Sequence, residues 1–139
     1  MDRKEFLASI AKGSALIVLS SCLYNCGGNG PTAPDAPSNV DFTIDITQNG
    51  YTALQNVGGS IYKDGIIVAH TDATTFVAVS QACTHQGTTV QLQESQHRFH
   101  CPNHGSNFNL NGSVINGPAS SPLRRYNVTV TGNNIRVYS

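Results

Sequence analysis

Tryptophan is absent from these 139 residues and charge is scarce, with eight basic side chains balancing eight acidic ones to a net charge of zero. No basic face therefore argues for nucleic acid, and no acidic tail argues for a cationic partner. Helix-forming residues are sparse and no stretch carries a convincing amphipathic helical period, which argues against a helical bundle. Asn, Gly, Thr, Ser and Val are abundant instead, a mixture that favours short strands and turns. No repeat is present beyond a pair of similar loops. The apolar and small-residue run from Gly13 to Ser21 is too short for the roughly 20 residues that a membrane-spanning helix needs.

Against this bland background the chemistry concentrates between Cys83 and Ser106. The chain reads Cys-Thr-His-Gln-Gly from Cys83 and Cys-Pro-Asn-His-Gly-Ser from Cys101. Four metal-ligand side chains, Cys83, His85, Cys101 and His104, thus fall in two tight loops built on one theme. Fifteen residues, 86–100, separate His85 from Cys101, enough for two short strands to go out and back and bring the loops together. In Cys-x-His an extended backbone points both side chains one way, whereas Cys-x-x-His needs a turn. Gly87 and Gly105 supply positive φ, and Pro102 stiffens the second loop. The two loops are expected to clamp one inorganic centre. The same residue types also make a tetrahedral zinc site, and two thiols can form a disulfide in an exported protein. Zinc does not account for the nearly identical grammar of both loops, and a disulfide leaves both histidines to coincidence.

Cys-Thr-His-x-Gly and Cys-Pro-x-His-Gly-Ser, at this separation, resemble the two cluster-binding loops of the Rieske iron–sulfur proteins. The resemblance implies one [2Fe–2S] cluster, with Cys83 and Cys101 on a buried iron and His85 and His104 on an outer one. It places Gly87, Pro102, Gly105, Ser106 and Phe108 around that cluster, together with Pro118, because Gly117-Pro118-Ala119 resembles the proline loop that covers it. Two neutral imidazoles in place of thiolates make the oxidised centre about neutral, so potentials for such centres lie at roughly −150 to +300 mV rather than about −400 mV. Rieske subunits of quinol-oxidising cytochrome bc complexes usually carry one further cysteine per loop, at positions matching Thr88 and Asn103, and a transmembrane anchor; this sequence departs on each count. High-potential members often have tyrosine at the position of Phe108, so an intermediate to moderately high potential is expected.

Residues 1–21 read as a signal peptide, with Arg3, Lys4 and Lys12 supplying positive charge. Leu19-Ser20-Ser21-Cys22 resembles a bacterial lipobox, which implies lipid on Cys22. Arg3-Lys4-Glu5-Phe6-Leu7 resembles a degraded twin-arginine signal, a route that would suit a protein exported with its cluster in place. Residues 22–39 form a flexible lipid-anchored tether, in which Cys26 has no assigned role. From residue 40 to 139 an all-β domain of stacked antiparallel sheets is expected, with a cluster-binding subdomain at about 82–119 inserted between two parts of a base. Val40 to Ile46 alternates as a half-buried strand. A hairpin turns at Asp64-Gly65, and Thr75 to Ser80 leads to Cys83. Val90 to Gln93 and Arg98 to His100 form the excursion, Asn111-Gly112 turns into Ser113 to Ile115, and a last hairpin joins Tyr126–Val130 to Ile135–Val137 across Gly132-Asn133-Asn134.

The expected function is one-electron transfer by an exported, membrane-tethered protein, with a redox protein as partner and no catalytic site of its own. Alternatives are a small subunit of an exported oxidoreductase, of the arsenite oxidase type or in a cytochrome bc-like complex, a ferredoxin for an oxygenase, or a zinc domain. An oxygenase itself would need two further histidines and a carboxylate, and no histidine follows His104. His97 and His100 read as solvated or supporting residues.

Overall fold

The computed structural model describes residues 36–139. The expectations for the signal segment, Cys22, Cys26 and most of the tether lie outside the described residues.

Ten strands follow in order: β1 Asp41–Asp45, β2 Ser60–Lys63, β3 Ile66–Asp72, β4 Thr75–Ser80, β5 Gln91–Gln93, β6 Arg98–His100, β7 Asn107–Asn109, β8 Val114–Asn116, β9 Arg125–Thr131 and β10 Asn134–Tyr138. They make two antiparallel sheets, a six-stranded one in the order β1-β10-β9-β4-β3-β2 and a four-stranded one in the order β5-β6-β7-β8. The all-β expectation holds, and each predicted strand is present to within three residues at either end.

Local chemistry accounts for the turns. Asp64 and Gly65 both take positive φ, 50° and 81°, the pair of left-handed residues that a tight hairpin between right-twisted strands requires. In the last hairpin Gly132 alone is left-handed, at 58°, and Asn134 already pairs with Thr131. The turn is therefore two residues, one fewer than predicted, with glycine at its first position.

The run Ile66-Ile67-Val68-Ala69 is buried throughout because β3 is covered on both faces. Ile66 and Val68, with Ala78, join Ile44, Leu54, Ile61, Tyr126, Ile135 and Val137 in one core. That set draws on both ends of the six-stranded order, so the large sheet curls over itself. Strand β9 carries the curl: Tyr126 and Arg125 pair with Ala78 and Val79 of β4, and the remainder pairs with β10. Leu54, fully buried, comes from a 3-10 turn at Thr52–Gln55 that the sequence did not signal.

Alternate residues of β3 and β4 point the other way. Ile67, Ala69, Val77 and Val79 form a second core with Val90, Phe99, Phe108, Ala119 and Leu123, and the same cluster contains Cys83 and Cys101. The small sheet is thus mounted on the outer face of β3 and β4. Tyr62 Oη also donates to the carbonyl of Val90, 2.8 Å away.

Candidate metal centre

Both loops are built on one hydrogen-bonded frame. In the first, the amide of Cys83 donates to Thr88 O at 2.8 Å and that of Gly87 to Cys83 O at 2.7 Å. In the second, Cys101 N donates to Ser106 O at 2.8 Å and Gly105 N to Cys101 O at 3.1 Å. Each cysteine is thus bonded to the residues four and five positions on, and the glycine at the fourth has φ of 78° in one loop and 81° in the other. An added Cβ at Gly105 would meet nothing within 4 Å, so glycine is there for its φ and not for space.

The frame directs both thiols inward. Cys83 and Cys101 are 1% and 3% exposed, and neither is in a disulfide, which removes that alternative. Burial pushes the Cys83 thiol above its ordinary value, while the amides of His85 and Gln86 pull the other way; the Cys101 thiol lies alongside. Amide N–H groups aimed at sulfur await a thiolate. The imidazoles of His85 and His104 meet edge to face, with ring centroids 5.0 Å apart. Nδ1 of His85 is shielded from water and has no hydrogen-bond partner, as a metal-binding nitrogen would be. His104 is exposed.

The floor and lid of the site come from the small sheet and the segment after it. Phe99 and Phe108 are cross-strand partners and fully buried, so Phe108 packs beneath the loops. Ser106 is fully buried, and its Oγ accepts the N–H of Ala119 at 2.9 Å, which leaves its own proton free to donate elsewhere. Thr84 Oγ1 donates to Ser121 O at 2.6 Å. The 117–121 segment therefore spans both loops, with Pro118 exposed beside them and joined to Gly117 by a cis bond. Pro102 is exposed. His97 is exposed and left-handed at the end of a 3-10 turn, Glu94–Gln96. His100 Nδ1 lies 2.7 Å from Asn107 Oδ1. The sequence reading missed Thr84, Asn107 and Asn116; the first lies within the motif, but no pattern marks the two asparagines.

Among the described residues no three His, Cys, Asp or Glu side chains converge where one ion could sit. Two buried thiols and an adjoining pair of imidazoles suit a two-metal cluster better than a single tetrahedral ion. The residue pattern of the Rieske [2Fe-2S] domain matches positions 41–127. The chain belongs to the Rieske [2Fe-2S] domain family. Like the family's members, this Rieske protein is an electron carrier with one [2Fe–2S] cluster. It is 29% identical over 157 residues to the cytochrome b6-f complex iron-sulfur subunit 2 of Synechocystis sp., an alignment covering 100% of this chain and 84% of that one. The plasma membrane Rieske protein PetC3 from Synechocystis PCC 6803 is 32% identical, with a TM-score of 0.51 over 58% of this chain and 84% of its own. The ferredoxin of carbazole 1,9a-dioxygenase from Nocardioides aromaticivorans IC177 is 25% identical, with a TM-score of 0.53 over 73% of this chain and 98% of that chain. Among the described residues no helix is long and apolar enough to cross a membrane.

Proposed function

We propose that this Rieske protein is a one-electron carrier tethered by lipid on Cys22 to the outer side of a bacterial membrane, with Cys83, His85, Cys101 and His104 as the four cluster ligands. The observation that carries the ligand assignment is the shared loop frame, which buries two thiols and sets two imidazoles edge to face, His85 half-buried and His104 exposed. When bound, the cluster supplies a single reversible electron at a potential raised by its neutral imidazole ligands. The protein supplies the rest. The second core shields the thiols from water, amides of His85 and Gln86 face the sulfur of Cys83, and Ser106 keeps a hydroxyl proton to donate. Exposed His104, with Pro102 and Asn103 exposed in the same loop and Pro118 exposed in the 117–121 segment, offers a partner protein the shortest approach.

Anaerobically purified protein should contain about two iron and two acid-labile sulfide per chain and, once reduced, give the low-average-g paramagnetic signal of mixed nitrogen and sulfur ligation. One zinc per chain with no visible absorption would reject the ligand assignment. The tether is tested separately. Mass spectrometry should find the mature chain beginning at an acylated Cys22, with two or three chains because one binds only marginally, and Cys22→Ser should release folded protein.

A second reading is a subunit of a quinol-oxidising complex, favoured by the names of the cytochrome b6-f relatives. Thr88 and Asn103 stand where such subunits usually carry a disulfide, and this favours the free carrier. Gentle solubilisation distinguishes the two, since a subunit would co-purify with its complex.

A further inference from the structure

Behind the second loop lies a network of two side-chain amides in which every nitrogen and oxygen has a partner. Asn107 Oδ1 faces His100 Nδ1 at 2.7 Å, and Asn107 Nδ2 donates to Gly105 O at 3.2 Å and to Asn116 Oδ1 at 2.7 Å. Asn116 Nδ2 donates to the same Gly105 carbonyl at 3.0 Å and to Gly117 O, also at 3.0 Å. Two amides thus converge on one carbonyl, the one directly after His104. Asn107 is 8% exposed, so its bonds are not shared with bulk water.

The peptide of that carbonyl is planar and trans, which sends the N–H of Ser106 to the opposite side. Ser106 is fully buried, and among the described residues no backbone carbonyl pairs with its N–H, although the amides of Cys101 and Gly105 earlier in the same loop are both paired. A buried N–H left without a partner is rare. Donors at one end of a peptide polarise it and strengthen the donor at the other end. The geometry points to Asn107 and Asn116 as positioning residues that polarise the Gly105-Ser106 peptide, so that its N–H is a strengthened donor to cluster sulfur. This rests on the cluster reading above. The added electron raises the negative charge on sulfur, so a stronger donor favours the reduced state and raises the midpoint potential.

The test compares holoprotein variants by voltammetry and by hydrogen exchange at Ser106. Asn116→Ala, at an exposed position, should lower the midpoint with iron and sulfide content unchanged and speed exchange at the Ser106 amide. Asn107→Ala should lower it further. Asn109→Ala is the control. That asparagine, on the same strand as Asn107, bonds to Ser113 Oγ, 2.8 Å away in the turn before β8, and its loss should leave the midpoint alone. An unchanged midpoint in Asn116→Ala, or an equal fall in Asn109→Ala, overturns the inference while the cluster reading stands. Wild-type protein lacking iron and sulfide overturns both.

Discussion

The two loops share a backbone frame and differ in where they put the histidine. Cys83 and Cys101 occupy the same place in that frame, each bonded to the residues four and five positions later, so both sulfurs enter the core. His85 is two residues past its cysteine and His104 three past, and His85 is half-buried where His104 is exposed. The supports differ as well. A single hydroxyl bond from Thr84 ties the first loop to the 117–121 segment, whereas buried Ser106 and two asparagines hold the second. Buried sulfurs with imidazoles nearer the surface are what a cluster needs if it is to be insulated on one side and reachable on the other.

The largest effects should come from breaking the equivalence of the sulfurs. Cys83→Ser and Cys101→Ser should each abolish cluster assembly, reducing iron and acid-labile sulfide to near zero. Full cluster content in either variant would show that the two frames are not interchangeable. The inequivalence of the imidazoles is sharpened by His104→Cys, which puts a thiolate where a neutral ligand was. The midpoint should fall by hundreds of millivolts, toward the roughly −400 mV of all-thiolate clusters, and a midpoint within experimental error of wild type would remove His104 from the ligand set.

Smaller changes probe the supports. Ser106→Ala leaves the Ala119 N–H without its acceptor and should cost about 1–3 kcal/mol of stability, read from urea unfolding. It also removes the hydroxyl proposed to donate to sulfur. A difference of about 1.4 kcal/mol between redox states corresponds to about 59 mV for one electron, so the midpoint should fall by tens of millivolts. Thr84→Val removes the first loop's hydroxyl bond to Ser121 O, with a loss of about 0.5–1.5 kcal/mol and no comparable fall in potential. An equal fall would mean that both loops tune the cluster alike.

A last effect is confined to cluster-free protein. Burial holds the Cys83 thiol above its ordinary 9.0, so the folded state keeps this proton more tightly than the unfolded chain does. The associated stability is complete below that ordinary value and is lost as pH rises through the higher, folded one. The melting temperature of the cluster-free protein should drop on the alkaline side, and Cys83→Ala should flatten that drop.

Periodicity and turn chemistry are local, and so they were legible. The alternation of Phe42, Ile44 and Ile46, the Asp64-Gly65 turn and the Thr75–Ser80 strand can be read along the chain because a strand's faces repeat every two residues. The pair of loops was legible for a stronger reason, since few arrangements other than metal binding call for Cys-x-His and Cys-x-x-His together. Leu54 was not legible. One apolar residue in a polar stretch has no period, and its burial depends on the opening left by the curled sheet.

By itself, then, the sequence determined most strands of the domain and the two Cys-His loops proposed to hold its cluster, because both follow from side-chain chemistry within a few positions. Only the tertiary structure decided which face of β3 covers the thiols, how β9 passes from β4 to β10, and that Asn107 and Asn116 meet at Gly105 O. Those asparagines lie on neighbouring strands, and the register of β7 against β8 shifts between Asn107 and Phe108. That irregularity brings Asn107 opposite Asn116 while Phe108, pointing to the other face, pairs with Val114. Such a shift depends on how two strands pack together, and neither strand's residues encode it alone.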